Sequence, residues 1–186
     1  MTTLYVLSGL PGAGKSTWAR DNANRLQATV VCSDDVRCDF EADGRDPSDG
    51  DAVFAEVARR ARRLLEADRS VIVDATHFQR SVRTYLRQLG IGIEARRVAI
   101  WFDVPLEICL QRNAERSGLT FGDRRMTDDF VRGLADAFEP PAQDEFDEII
   151  RVSRYSSAAN TYSRTGRRVV TRPRQAVLAV LRRRRH

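Results

Sequence analysis

The stretch Gly9-Leu10-Pro11-Gly12-Ala13-Gly14-Lys15-Ser16-Thr17 restricts this chain more than any other part of it. It satisfies G-x-x-x-x-G-K-[ST] at every fixed position and follows the apolar run Leu4-Tyr5-Val6-Leu7. That context specifies a strand, a tight loop and a helix. Glycines at 9, 12 and 14 let the backbone curl round an anion with its N–H groups turned inward, and the helix after the loop adds the partial positive charge of its N-terminus. Lys15 is placed to reach the outer phosphates of a nucleotide, and the Ser16 hydroxyl to ligate Mg²⁺. ATP and Mg²⁺ are therefore the expected ligands, with Gly9, Pro11, Gly12, Ala13, Gly14, Lys15, Ser16 and Thr17 as the nucleotide-binding set. Lys15 is the single lysine among 31 basic residues. Arginine serves wherever else a cation is wanted, so a compact ammonium is specifically required here.

A chain of 186 residues with 42% apolar content is long enough for one buried core and short for two, so one domain is expected. No apolar run approaches the ~20 residues of a membrane span, and the start has no signal-peptide pattern, which gives a cytoplasmic expectation. Cys32, Cys38 and Cys109 have neither disulfide-framework nor metal-ligand spacing. Charge is unevenly placed. From Arg151 onward there are eleven arginines and no acid, which leaves 20 basic against 26 acidic residues before it. A net −6 body with a +11 tail reads as an enzyme core carrying an arm that attracts polyanions.

Continuous apolar strands with helices between them predict β-α-β units and a parallel sheet. Strands are expected at residues 3–8, 28–32, 70–73, 94–102 and 148–152. Helices are expected over 16–26, 53–65, 78–89 (stopped at Gly90), 106–116 and 128–138, with Pro105 suited to a first helical turn. Arg59, Arg60, Arg62 and Arg63 fall mainly off the apolar stripe of their helix and read as a solvated face. Residues 39–51 hold six acids and read as a solvated loop; a calcium loop is disfavoured because Gly50 stands where a bidentate Glu is needed. Residues 111–125 carry Arg112, Arg116, Arg124 and Arg125 around a small, turn-prone insert, which suits a lid over transferring phosphate. Little fixed structure is expected over 153–168, and a short helix over 174–185. The fold class is α/β, a P-loop NTPase fold with a five-stranded parallel sheet, helices on both faces and an arginine-bearing lid. The division is 1–152 for the domain and 153–186 for the tail.

Chemistry-bearing side chains collect at the carboxyl ends of the strands, where open α/β sheets place their sites. Ser33-Asp34-Asp35-Val36-Arg37 follows the second strand and Asp74-Ala75-Thr76-His77 the third. A GTPase would need N-K-x-D, which the lone lysine excludes. Transfer of a phosphoryl group to a hydroxyl needs a carboxylate for the proton, a metal, and cations over the developing charge, and this chain supplies each.

GLPGAGKSTWAR, SDDVR, VIVDATHFQR, FDVPLEICLQRNAER and RMTDDFVRGLADAFEPP, in this order and spacing, resemble the 5′-kinase domain of polynucleotide kinases over about residues 3–152. The resemblance implies Asp34 as general base on a nucleic-acid 5′-hydroxyl and Arg37 on acceptor phosphate. It puts Arg116 on the ATP phosphates with Arg112 one turn earlier, and Asp74, Thr76 and His77 toward the acceptor. Asp35 is then expected to turn away from Asp34 and to cap the helix bearing Arg37. His77 stands where that family has Asn. Two other readings stay open: a small-molecule or sugar-nucleotide kinase of the same architecture, similar to zeta-toxin-like or antibiotic-modifying phosphotransferases, and an ATP-dependent nucleic-acid-binding module.

Overall fold

Side chains alternate across a strand, and β1 (Thr2–Ser8) uses that alternation to feed two cores. The structure, a computed structural model, describes residues 2–89, 92–118, 124–156, 159–162 and 169–170. β1 is the central strand of a five-stranded sheet, flanked by β3 (Ser70–Asp74) and β4 (Ala95–Phe102), with β2 (Ala28–Cys32) and β5 (Glu148–Val152) outermost. The order is β2-β3-β1-β4-β5 and every pairing is parallel. Leu4 and Val6 pack with Val71, Val73 and Ala99 against α2 (Ser33–Ala42), α3 (Gly50–Glu66) and α4 (Arg80–Leu89). Tyr5 and Leu7 pack with Ile72, Val98, Ile100 and Phe102 on the other face, against α1 (Lys15–Leu26), α5 (Leu106–Ala114) and α6 (Asp128–Asp136). Such a sheet is dry on both faces, and its polar work is confined to the strand ends.

The helices follow local rules. Val53, Val57, Ala61 and Leu65 recur every fourth residue and are all buried, so α3 presents one stripe to the sheet. Asp49 caps it by accepting from the Ala52 N–H at 3.0 Å, and Thr127 caps α6 by accepting from Phe130 N–H at 3.3 Å. The arginines of α3 behave as a solvated face: Arg59 and Arg60 pair with Glu56, and Arg62 with Glu66.

Three expectations are corrected. The acidic stretch from Asp39 begins as helix, because α2 continues to Ala42 and buries Val36 and Phe40 on one face. Arg116 lies beyond α5, which ends at Ala114. The 153–168 segment, expected to have little fixed structure, contains β6 (Arg154–Ser156) and β7 (Ala159–Tyr162), which join β8 (Val169–Val170) just beyond it in a small antiparallel sheet. The expected helix over 174–185, the stop at Gly90 and the lid residues 119–123 lie outside the described residues. No helix among the described residues is long and apolar enough to cross a membrane.

Candidate active site

Gly9 to Gly14 form a loop pressed against its surroundings. A Cβ on Gly12 would lie 2.3 Å from the Cys109 carbonyl oxygen, and one on Gly9 would lie 2.8 Å from Phe102 Cβ. Pro11 is buried, Ala13 is fully buried with its N–H donating to Leu10 O at 3.1 Å, and Thr17 is half-buried. Gly14, at φ 93°, turns the chain into α1, whose first internal bond runs from Trp18 N–H to Gly14 O at 3.0 Å. The cradle is thus bare backbone opening on a helix N-terminus, the form that receives phosphate.

Lys15 is 9% exposed, and its Nζ donates to Gly9 O at 3.0 Å and Leu10 O at 2.9 Å. Burial lowers its pKa, Asp74 opposes that shift and Arg116 adds to it. Ser16 is exposed on the first turn of α1 and hydrogen-bonds the carboxylate of Asp74, which is 3% exposed. Burial pushes Asp74 above the usual carboxylate range, with Lys15 and the Ser16 bond pulling it back. A hydroxyl and a carboxylate side by side next to a phosphate cradle suit Mg²⁺, which takes one or two protein oxygens and fills its shell with phosphate and water. The residues present therefore fit ATP with Mg²⁺, and Ser16 and Asp74 are the pair that would hold the metal.

Asp34, in the first turn of α2, is near enough to Asp74 to act on it electrostatically. It is half-buried while Asp35 is exposed. Burial raises the Asp34 pKa; Lys15, Arg37 and Arg116 pull it down in that order, and Asp35 pushes it up. One carboxylate is therefore influenced by the cradle lysine and by arginines from two separate segments. Arg37 is half-buried and donates to Pro47 O. Arg112 leans on the loop, its Nη1 3.4 Å from Gly12 O, and Arg116 Nη1 donates to Arg124 O at 3.2 Å.

The split between Asp34 and Asp35 has a different cause from the expected one. Both are helical rather than extended, so they separate by the ~100° helical turn per residue rather than by strand alternation. Cys32 occupies the N-cap of α2, so Asp35 is not its cap.

Within the 74–77 segment the residues have separate surroundings, and His77 departs from the expected placement. Asp74 hydrogen-bonds Ser16 and is 3% exposed. Thr76 is half-buried, and its carbonyl accepts from Gly9 N–H at 3.0 Å. His77 is fully buried, with Nδ1 at 2.7 Å from Leu7 O and Nε2 at 2.6 Å from Tyr85 Oη. Neither ring nitrogen can meet an acceptor.

Asn113 emerges from the structure alone. Fully buried on α5, it donates to Met126 O at 2.8 Å and accepts from Met126 N–H at 3.1 Å, closing the base of the arginine-bearing segment. Its position directly after Arg112 is the only trace of this in the sequence.

Comparison with known proteins gives the family and the fold. The family described as AAA domain matches residues 4–141. An uncharacterised protein of Mycobacterium tuberculosis is 30% identical over 145 residues, 71% of this chain, and the chain spans only 28% of that relative's length. A shikimate kinase of Corynebacterium glutamicum is 32% identical over 96% of this chain and 94% of its own. Among solved structures, a sugar kinase from Janibacter sp. superposes with a TM-score of 0.61 at 20% identity, covering 82% of this chain and 86% of that one.

Proposed function

The chain belongs to the AAA-domain family and has the fold of a P-loop kinase, and from that premise we propose that it moves the γ-phosphate of ATP to a hydroxyl of a small polar acceptor. The observation that carries this reading is the glycine cradle on the N-terminus of α1 with Lys15 held inside it and the Asp34 carboxylate within electrostatic reach of that lysine.

Each side chain has a distinct task. The loop N–H groups and Lys15 hold the phosphates, and Lys15 must exchange the carbonyls of Gly9 and Leu10 for phosphate oxygens. Magnesium bound with the nucleotide screens phosphate charge; Ser16 and Asp74 would hold it. Asp34 accepts the proton of the attacking hydroxyl, and its raised pKa makes it a stronger base than an exposed aspartate. Arg112 and Arg116 would offset the charge that spreads over the phosphates during transfer. Arg37 holds the acceptor beside Asp34.

A small acceptor is favoured by the shikimate kinase likeness, which runs along nearly the whole chain, and by the burial of His77, which removes one residue of the expected oligonucleotide-facing segment. A nucleic-acid 5′-hydroxyl is the second reading, favoured by the order and spacing of the five sequence segments. In that case the basic tail would add salt-dependent affinity for the strand. The test is incubation with γ-labelled ATP, Mg²⁺ and a panel of hydroxy acids, sugars, nucleosides and 5′-hydroxyl oligonucleotides. Label on a small hydroxyl compound is expected. Label only on oligonucleotides selects the second reading, and ATP binding with no transfer to any of these contradicts the kinase.

A further inference from the structure

His77 has no access to the site, yet the turn that ends β3 is built around it. Its φ of 45° lies in the left-handed region, which residues other than glycine seldom adopt and which persists only where the surroundings dictate it. Those surroundings are fully specified. A carbonyl can only accept, so the Leu7 oxygen at 2.7 Å fixes the proton on Nδ1; Nε2 then accepts from the Tyr85 hydroxyl at 2.6 Å. The imidazole is neutral and held in one tautomer, and burial lowers its pKa to about 4. Tyr85 also stacks on the ring, with centroids 5.8 Å apart.

The backbone of the turn is fastened as firmly. The His77 carbonyl accepts from Ser8 Oγ at 2.9 Å and from Arg83 Nη1 at 3.0 Å. Arg83 is itself buried and paired with Glu145 at 2.9 Å. One residue earlier, Thr76 O accepts from Gly9 N–H. Residues 76 and 77 are thereby bonded to residues 7, 8 and 9, the strand end that becomes the phosphate loop. Asp74, three residues before His77, is the last residue of β3, and Ser16 follows the loop on the other side.

We propose that His77 is a positioning residue that sets the Asp74 carboxylate against Ser16 by locking the 74–77 turn to β1. The metal-holding pair is then assembled before nucleotide arrives. This rests on the reading of Ser16 and Asp74 as the magnesium end of an ATP site. A histidine that only filled the core would contribute to stability without favouring any one ligand; a positioning role couples it to the metal in particular.

The experiment titrates a fluorescent ATP analogue into the full chain, first in EDTA and then at rising Mg²⁺, for wild type, His77→Ala and Tyr85→Phe. His77→Ala is expected to keep the EDTA affinity within about twofold and to raise the half-saturating Mg²⁺ about tenfold, the scale found when groups behind a metal ligand are removed. Tyr85→Phe, which keeps the ring and the packing, shifts it in the same direction by less. An unchanged Mg²⁺ requirement in folded His77→Ala, or in Tyr85→Phe should the alanine variant not fold, overturns the proposal. So does an equal loss of affinity with and without Mg²⁺, which marks general loosening. A wild-type chain whose nucleotide affinity ignores Mg²⁺ removes the metal reading of Ser16 and Asp74 together with this inference; a Mg²⁺-responsive wild type beside variants that keep its Mg²⁺ requirement removes the inference alone.

Discussion

Gly12→Ala separates the two reasons why the phosphate loop needs glycine. At φ 83° an alanine pays the left-handed penalty of about 1–2 kcal/mol. Its Cβ would also sit 2.3 Å from the Cys109 carbonyl oxygen, 3.0 Å from the carbonyl carbon and 3.1 Å from Cα. These atoms belong to the backbone of α5 and have no rotamer to adopt, so loop and helix must part, at a further cost of about 1–3 kcal/mol. The total, about 2–5 kcal/mol, converts at roughly 2–4 °C per kcal/mol for a chain of this length into a fall in Tm of about 4–20 °C. Gly44→Ala is the matched control: φ is 70° and nothing lies within 4 Å of its Cβ. It should lose the backbone contribution alone, about 2–8 °C on the same conversion. Thermal melts of both variants, with ATP titrated into each, give the comparison. The Gly12 variant should melt lower and bind ATP more weakly, while the Gly44 variant keeps its ATP affinity. Equal melting temperatures with ATP binding intact in both would refute the claim that the loop is braced on α5.

The remaining predictions address the charged groups. Because Lys15 is the only lysine, an amine-reactive ATP analogue should modify Lys15 and the N-terminal amine alone, with ATP protecting Lys15; peptide mapping that finds Lys15 unmodified or unprotected contradicts its role. Arg116→Ala should lower kcat by about 10³ or more and Arg116→Lys should recover little, since a point charge does not bridge two phosphate oxygens as a guanidinium fork does; steady-state kinetics with unchanged kcat would make the segment ordinary surface. Burial raises the pKa of Asp34, so the folded state holds that proton more tightly than the unfolded chain. The stability from this group is complete below the ordinary carboxylate pKa and falls as pH rises toward the folded value. Asp34→Asn should therefore melt higher than wild type at pH 7, with the gap closing toward pH 4, and a lower Tm at pH 7 would contradict the burial argument.

The sheet and the phosphate loop were legible because their signals are local. Leu4 to Leu7 is apolar on both faces, and the loop motif carries its own strand and helix with it. The end of α2 was harder, since Asp39, Glu41 and Asp43 look like solvated loop; Val36 and Phe40, four apart, were the sign that one face is buried. His77 was misplaced for a physical reason. Position at a strand's carboxyl end says that a residue is near the site, but the direction of its side chain depends on the turn, and the left-handed φ at 77 turns the imidazole back into the core. Asn113 was illegible because its partner is a backbone thirteen residues away. In the tail, residues 153–168 are polar enough to suggest little structure, and backbone pairing across β6 and β7 does not depend on an apolar pattern.

The proposal stands or falls on which carboxylate takes the proton. Single-turnover transfer from γ-labelled ATP, measured by chemical quench with the acceptor that the panel identifies, should be compared for wild type, Asp34→Asn and Asp35→Asn, with ATP affinity determined for each. The half-buried Asp34, influenced by Lys15, Arg37 and Arg116, is predicted to be the base, so Asp34→Asn should bind ATP normally and lose about 10²–10⁴ in the transfer rate. Asp35, exposed on the same helical turn, should transfer at close to the wild-type rate as Asn. A slow Asp35→Asn beside a fast Asp34→Asn, or two fast variants, would contradict the mechanism.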